Sequence, residues 1–408
     1  MDNHYKYMDS SNHPYSWTFC PDSSLQVNSV SISDDGSRCV FGTSNEFSEG
    51  NFATFLLNGD GETIWSKPIS SEKTYQGVFW TAISGNGKYV ASGGETGKSQ
   101  GFLKAYRSED GKELLSVEPK SRVNQVSLSE NGEYLAMCYG SCVVLYRLSE
   151  DGLSYNEVGN SDLSPCYVNS CEISREGNVV VASGIIYNDD KASNSSETQG
   201  RIIAFEVSDG ELSKIGECDP GAGSMRVAVT SNGEFWAASL HDGSCVLFHR
   251  NDPASYQWKV SPDGYSMSLA YAVAITETEE RHVFVACGAN VHDQKDDGLL
   301  YMVRSEWIHD EHVGKIVWKN PIVRSVNPGV SLDQNATLVT ATDGQPIKGS
   351  QESPGSFYLF EAQSGNPLMK QDTTLMNWPM MLSYDGKFAF GGSDNGSVYY
   401  WDTSKQKT

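Results

Sequence analysis

Three short stretches of this 408-residue chain hold residue types that could do chemistry. "GGETGKSQG" at 93–101 ends in the Gly97-Lys98-Ser99 of a phosphate-binding loop and centres a G-x-S-x-G on Ser99. Both motifs need a strand entering and a helix leaving, so that helix-terminal N–H groups or a strained elbow can act. Here Ser92 stands where the loop's first glycine belongs, and the alternating "FLKAY" that follows predicts a strand, so the stretch is expected to be a hairpin loop. His309 and His312 in "WIHDEHVG" have the spacing of a helical metal pair, but they fall in a turn between strands with no third ligand. His292, Asp293, Asp296 and Asp297 in "NVHDQKDDG" are oxygen-rich enough for Ca²⁺, yet lack the ligand positions and the glycine of a helix–loop–helix calcium loop. The expectation is a chain with no catalytic residues, no metal site and no cofactor.

The elements that would position any site are best approached through the bulk charge. A formal net charge of −22 argues against nucleic acid, whose phosphates demand clustered Lys and Arg. No apolar run approaches the length that spans a bilayer, so membrane insertion is not expected. "MDNHYKYMDSSNHPY" has no apolar core of a signal peptide, and the nine cysteines mostly sit inside strand-like runs as small hydrophobes. Both point to the cytoplasm, or to an extracytoplasmic chain if a signal has been removed. Cys138 and Cys142 flank the turn "YGS", and a disulfide across that hairpin stays open.

A repeat organises the whole length. "VNSVSISDDGSRCVFGT" at 27–43 recurs from 78, 123, 168, 225, 269, 325 and 377, and seven steps from Gly36 to Gly386 average 50 residues. The turn glycines are Gly36, Gly87, Gly132, Gly177, Gly233 and Gly386, with Glu279 and Ala336 in the equivalent places. Each unit opens with an alternating strand, turns tightly, and continues into a small-residue strand; two more strands follow in most units, as in "NFATFLLNGDGETIWSKP". Four antiparallel strands per repeat predict an all-β fold, a single eight-bladed β-propeller filling one domain over 1–408. The eighth unit, ending in "YYWDTSKQKT", has only three strands. "YSWTFC" at 15–20 is a strand without a repeat, and its Trp17 matches Trp65, Trp258 and Trp318 in fourth-strand positions. Residues 1–22 are therefore expected to close the ring by completing the last blade, which otherwise exposes an unpaired edge.

"YDGKFAFGGSDNGSVYYWD" resembles the WD-repeat family, whose repeats run from an Asp-Gly turn to a Trp-Asp pair, although the Gly-His pair of those repeats is missing throughout. The turns "NGDGETIW" and "SEDGKELL" resemble the strand connections of quinoprotein dehydrogenase-like propellers, which are eight-bladed. The second resemblance implies a quinone cofactor and an enzyme, but the adjacent cysteines common in that family are absent.

The longest insertions, 44–51, 94–101, 185–200, 288–298 and 343–356, join second to third strands, on the face where first strands begin. Eight positions before each turn glycine or its equivalent, the register places Asn28, Phe79, Asn124, Asn169, Met225, Tyr271, Pro328 and Trp378 around the channel mouth. A shift of one residue brings Trp80, Gln125 and Arg226 instead. In the WD-repeat family this position often contacts peptides, and the resemblance implies the same here. Aromatics, a methionine and amides suit a recognition surface, although the same side chains could simply plug the channel. The expected function is a non-catalytic scaffold binding a protein or peptide, with acidic loops favouring a basic partner. The alternative is a quinoprotein-like or other small-ligand enzyme.

Overall fold

The computed structural model describes residues 5–7, 14–45, 52–69, 77–97, 100–187, 199–291, 297–308, 311–345 and 353–406. Its strands group into eight antiparallel meanders over 26–68, 77–117, 123–162, 167–218, 224–260, 267–322, 326–373 and 377–402, here called blades 1 to 8. Blades 1 and 2 share one sheet through a single bridge, Ser44 to Gly77. In every blade the chain runs from the innermost strand outwards.

Blade 8 has three strands of its own, Asn377–Leu382, Phe388–Ser393 and Val398–Asp402. Its fourth is Trp17–Cys20, antiparallel to Val398–Asp402 with Trp17 opposite Tyr400 and Phe19 opposite Val398. The chain end thus completes the last blade, as the missing strand demanded. One strand more than expected pairs outside it: Tyr5–Tyr7 runs antiparallel to Trp17–Cys20, so this sheet is five-stranded.

The turn from first to second strand repeats one chemistry. A residue three positions before the turn glycine offers a side-chain oxygen to the backbone N–H five residues on. Ser33 accepts from Arg38, Ser84 from Tyr89, Ser129 from Tyr134, Ser174 from Val179, Thr230 from Phe235 and Ser383 from Phe388, all at 3.0–3.1 Å. In blade 7 Asp333 does the same for Leu338 at 2.7 Å. The glycines take left-handed φ values of 69–75°, where a Cβ would be strained. Ala336 adopts φ 50° in blade 7, as its alignment with the glycines implies. In blade 6 the left-handed residue is Arg281, not Glu279, because the first strand is two residues longer between its bulge and a turn of the usual five residues.

Neighbouring blades bury apolar side chains at every junction, from Val40, Leu56, Val90 and Tyr106 between blades 1 and 2 round to Trp17, Phe390, Tyr400, Val27 and Phe55 between blades 8 and 1. The small second strands make this approach possible. A Cβ on Gly42 would lie 2.3 Å from Val78, on Gly93 2.5 Å from Val123, on Gly288 2.5 Å from Val326, and on Gly392 2.5 Å from Val27. The same valine-on-glycine contact therefore recurs where the chain's two ends meet.

The outer rim is stitched by indoles. Trp65 Nε1 donates to the Ser108 carbonyl at 2.8 Å, Trp258 Nε1 to Ser305 Oγ at 3.1 Å and Trp318 Nε1 to the Ala362 carbonyl at 2.7 Å. Each reaches from a fourth strand to the next blade. All nine cysteines are free thiols. Cys138 lies opposite Val143 rather than Cys142, so the hairpin does not bridge them. Cys138 instead neighbours Cys171 of blade 4.

Candidate functional site

The eight innermost strands enclose an axial cavity of about 290 Å³, lined by residues from every blade, among them Asn28, Trp80, Gln125, Glu172, Val273, Pro328 and Tyr384. Its two ends differ in construction.

At the end where the innermost strands finish, side chains tie opposite blades together. Arg175 of blade 4 reaches Asp34 of blade 1, with one terminal nitrogen donating to Asp34 Oδ1 at 2.9 Å and the other to Oδ2. Its guanidinium lies 3.7 Å over the Tyr384 ring of blade 8, and the Tyr384 hydroxyl is 2.9 Å from Ser231 Oγ of blade 5. Paired charge and hydrogen bonds plug this end.

At the other end the innermost strands begin, on the same side as the long connections between second and third strands. The pairing register slips at the same place in seven blades. In blades 1 to 6 the slips fall at Asn28, Phe79, Asn124, Asn169, Met225 and Tyr271, each left over between two paired neighbours. In blade 8 the slip spans Trp378 and Pro379. A β-bulge bends its strand and re-aims side chains; in blades 1 to 5 and 8 the bulge falls eight residues before the turn glycine, and in blade 6 Tyr271 lies ten before Arg281. Pro328 follows the short first strand of blade 7, Val326–Asn327.

The bulges send these side chains to different places. Asn28 and Pro328 line the cavity; in blades 2 and 3 the next residue, Trp80 or Gln125, does so instead. Phe79 is only 6% exposed and lies under Arg122, whose guanidinium sits 3.8 Å over its ring. Asn124 Nδ2 donates to the Val168 carbonyl at 2.7 Å and its Oδ1 accepts from Tyr167 Oη at 3.2 Å, bracing blade 3 against blade 4. Asn169 Nδ2 donates to the Ser224 carbonyl at 3.4 Å, next to Met225. Trp378 is half-buried with Nε1 donating to Asp394 Oδ1 at 2.8 Å. Tyr271 is half-buried beside Arg226. The amides thus brace the rim, and the aromatics carry its apolar surface. Tyr187, 55% exposed and packed edge-on against Tyr167, adds an aromatic that the repeat register does not reach.

Within the cavity Glu172 faces the axis. Burial pushes its carboxyl up to about 8, against a backbone hydrogen bond to Val229 that pulls the other way.

The motif stretches are described only in part. Gly93–Glu95 belong to a strand that pairs with Gly101–Arg107, Glu95 opposite Gly101, so "GGETGKSQG" spans a hairpin with no helix following; Lys98 and Ser99 lie outside the described residues. His309 and residues 292–296 also lie outside them. His312 sits on a strand, 3.2 Å from Ser305 Oγ, with burial and His249 holding its pKa below the usual imidazole value. Among the described residues no group of three His, Cys, Asp or Glu side chains could hold a metal ion.

No protein-family profile matches the sequence, and no curated protein matches it. Solved structures do. The β-propeller domain of Cps50 (Swd1) from Myceliophteria thermophila aligns with a TM-score of 0.53 at 14% identity, covering 79% of this chain and 95% of that one. Hydrazine synthase from Kuenenia stuttgartiensis aligns with a TM-score of 0.54 at 12% identity, over 79% of this chain and 94% of that one. At such identities the likeness speaks to fold. The chain is a β-propeller.

Proposed function

We propose that this propeller is a non-catalytic scaffold that binds a protein or peptide through the channel mouth on its loop-rich face. The observation that carries this reading is the recurrent bulge, which interrupts the innermost strand beside one mouth in seven blades, while charged and hydrogen-bonded side chains tie the opposite end together. Half-buried Tyr271 and Trp378, together with exposed Tyr187, offer the rigid apolar anchors on which binding energy concentrates. The net charge of −22 favours a partner with basic flanks and association that quickens as salt falls. The free thiols suit a reducing compartment such as the cytoplasm.

Selection of phage-displayed random peptides on the full chain tests the reading. Selected peptides should lose affinity on Trp378→Ala and Tyr271→Ala, each costing about 2 kcal/mol, and keep it on Glu176→Ala and Glu280→Ala, exposed positions in first-to-second-strand turns. The reverse pattern would move the site to the plugged face.

A further inference from the structure

The mouth of this acidic protein holds two arginines that no carboxylate answers among the described residues. Arg226 of blade 5 lies 4.8 Å from the Trp80 ring of blade 2 and 5.8 Å from the Tyr271 ring of blade 6, four blades further round. It therefore stands between two aromatics from opposite sides of the channel. One terminal nitrogen donates to the main-chain carbonyls of Asn169 at 3.0 Å and Met225 at 3.4 Å, while its Nε is buried with no partner. The ionisable groups acting on it are the Tyr271 phenol, the Cys138 thiol and a second guanidinium, Arg122; burial, the dominant effect, pulls its pKa below the usual guanidinium range. Arg122, just ahead of the first strand of blade 3, is stacked on Phe79, and its Nε too is buried without a partner.

Buried cations are ordinarily paired, because removing a charge from water without compensation is costly. Several other partly buried arginines here are paired: Arg175 with Asp34, Arg250 with Glu206, Arg201 with Glu217 and Asp219. Arg226 and Arg122 do not, and they repel one another. A guanidinium over an aromatic ring finds no hydrogen-bond acceptor in that ring, and its planar N–H donors form the fork that matches two oxygens of a carboxylate.

Resting on the reading that the mouth is the binding site, the geometry points to a carboxylate as the group received at its centre: a Glu or Asp side chain of the partner, clamped by Arg226 and Arg122 between aromatic walls. The partner segment is then two-signed. Basic flanks meet the acidic molecule, and one acidic residue enters the mouth.

The test is calorimetric titration of the full chain with four acetylated pentapeptide amides, Lys-Gly-X-Gly-Lys, in which X is Glu, Gln, Lys or phosphoserine. The Glu peptide should bind at least about tenfold more tightly than the Gln and Lys peptides, the scale of one charge-assisted fork. Arg226→Gln should abolish that preference, and Arg226→Lys should restore little of it. Arg122→Gln, a side chain with no hydrogen bond among the described residues, should weaken the preference independently, which keeps the test valid if the Arg226 variants do not fold. Equal binding of Glu and Gln peptides, tighter binding of the Lys peptide, no binding by any of them, or a preference surviving in both variants would overturn the inference. A phosphoserine peptide preferred tenfold over Glu would overturn the carboxylate assignment in favour of phosphate. The underlying mouth reading fails separately: it falls if the binding of phage-selected peptides survives both Trp378→Ala and Tyr271→Ala.

Discussion

Trp17 Nε1 donates a 2.9 Å hydrogen bond to the carbonyl of Gly59, and its ring stacks on Tyr400 at 4.8 Å. The first contact reaches blade 1 and the second belongs to blade 8, so one side chain fastens the seam where the ring closes. Like the other blade-to-blade indole bonds, the one to Gly59 joins units that the chain already connects, because Trp17–Cys20 runs on into blade 1. The covalent link is missing inside blade 8, between Val398–Asp402 and Trp17–Cys20, and there the stacking of Trp17 on Tyr400 acts in its place together with the strand pairing.

Trp17→Ala should therefore cost about 3–5 kcal/mol, the range for deleting a buried tryptophan, and removal of residues 1–20 should cost more. The deletion also strips the partner from Val398–Asp402, and an open edge of that kind recruits other chains. Urea unfolding and light scattering check both effects. A soluble deletion variant with an unchanged midpoint would contradict the closure described above.

Glu172 gives a pH dependence. Below about pH 4.5 its carboxyl is protonated in folded and unfolded chains alike and contributes nothing. As pH rises the unfolded chain ionises, while the folded one holds its proton until about 8, so the group destabilises increasingly over that window. Glu172→Gln should leave stability at pH 4 unchanged and raise it by a few kcal/mol at pH 8. Denaturation curves at the two pH values decide it, and an equal shift at both would show that packing rather than ionisation is responsible.

Arg175 and Asp34 should behave as a coupled pair across the plugged end. Each is about a quarter exposed, which limits their coupling to about 1–2 kcal/mol in a double-mutant cycle. Arg175→Ala should lower stability without affecting peptide binding at the other mouth. Loss of binding in a folded Arg175→Ala variant would place the site at the wrong end of the channel.

The thiols should divide by burial. Cys20, Cys142 and Cys218 are half-buried, while Cys39, Cys138, Cys166, Cys171, Cys245 and Cys287 are buried. Burial raises the pKa of Cys39, Cys171 and Cys287 most, which suppresses the reactive thiolate. A thiol reagent should modify no more than three groups in the native chain and all nine after denaturation.

The propeller is legible in the sequence because its determinants are local. Period-two strands, a hydroxyl three residues before a turn glycine, and glycine where a neighbour's valine must fit all lie within a few residues of one another. The mouth is legible only to within one residue. A bulge adds a residue without changing composition, so counting back eight positions lands on the bulged residue while the axis in blades 2 and 3 is lined by the next, Trp80 or Gln125. Arg122 precedes the repeat register altogether, and its role emerges only when Phe79 is seen beneath it. Tyr5–Tyr7 is too short, and too polar on either side, to announce a strand.

The central claim, that binding occurs at the loop-side mouth, is tested most directly by photocrosslinking a selected peptide to the full chain carrying benzoylphenylalanine at single sites. Replacement of exposed Tyr187, where the second strand of blade 4 ends on the loop face, should yield a covalent adduct that excess unlabelled peptide suppresses. Replacement of exposed Glu280, in the first-to-second-strand turn of blade 6, should yield none. A competed adduct at Glu280 with none at Tyr187 would contradict the account.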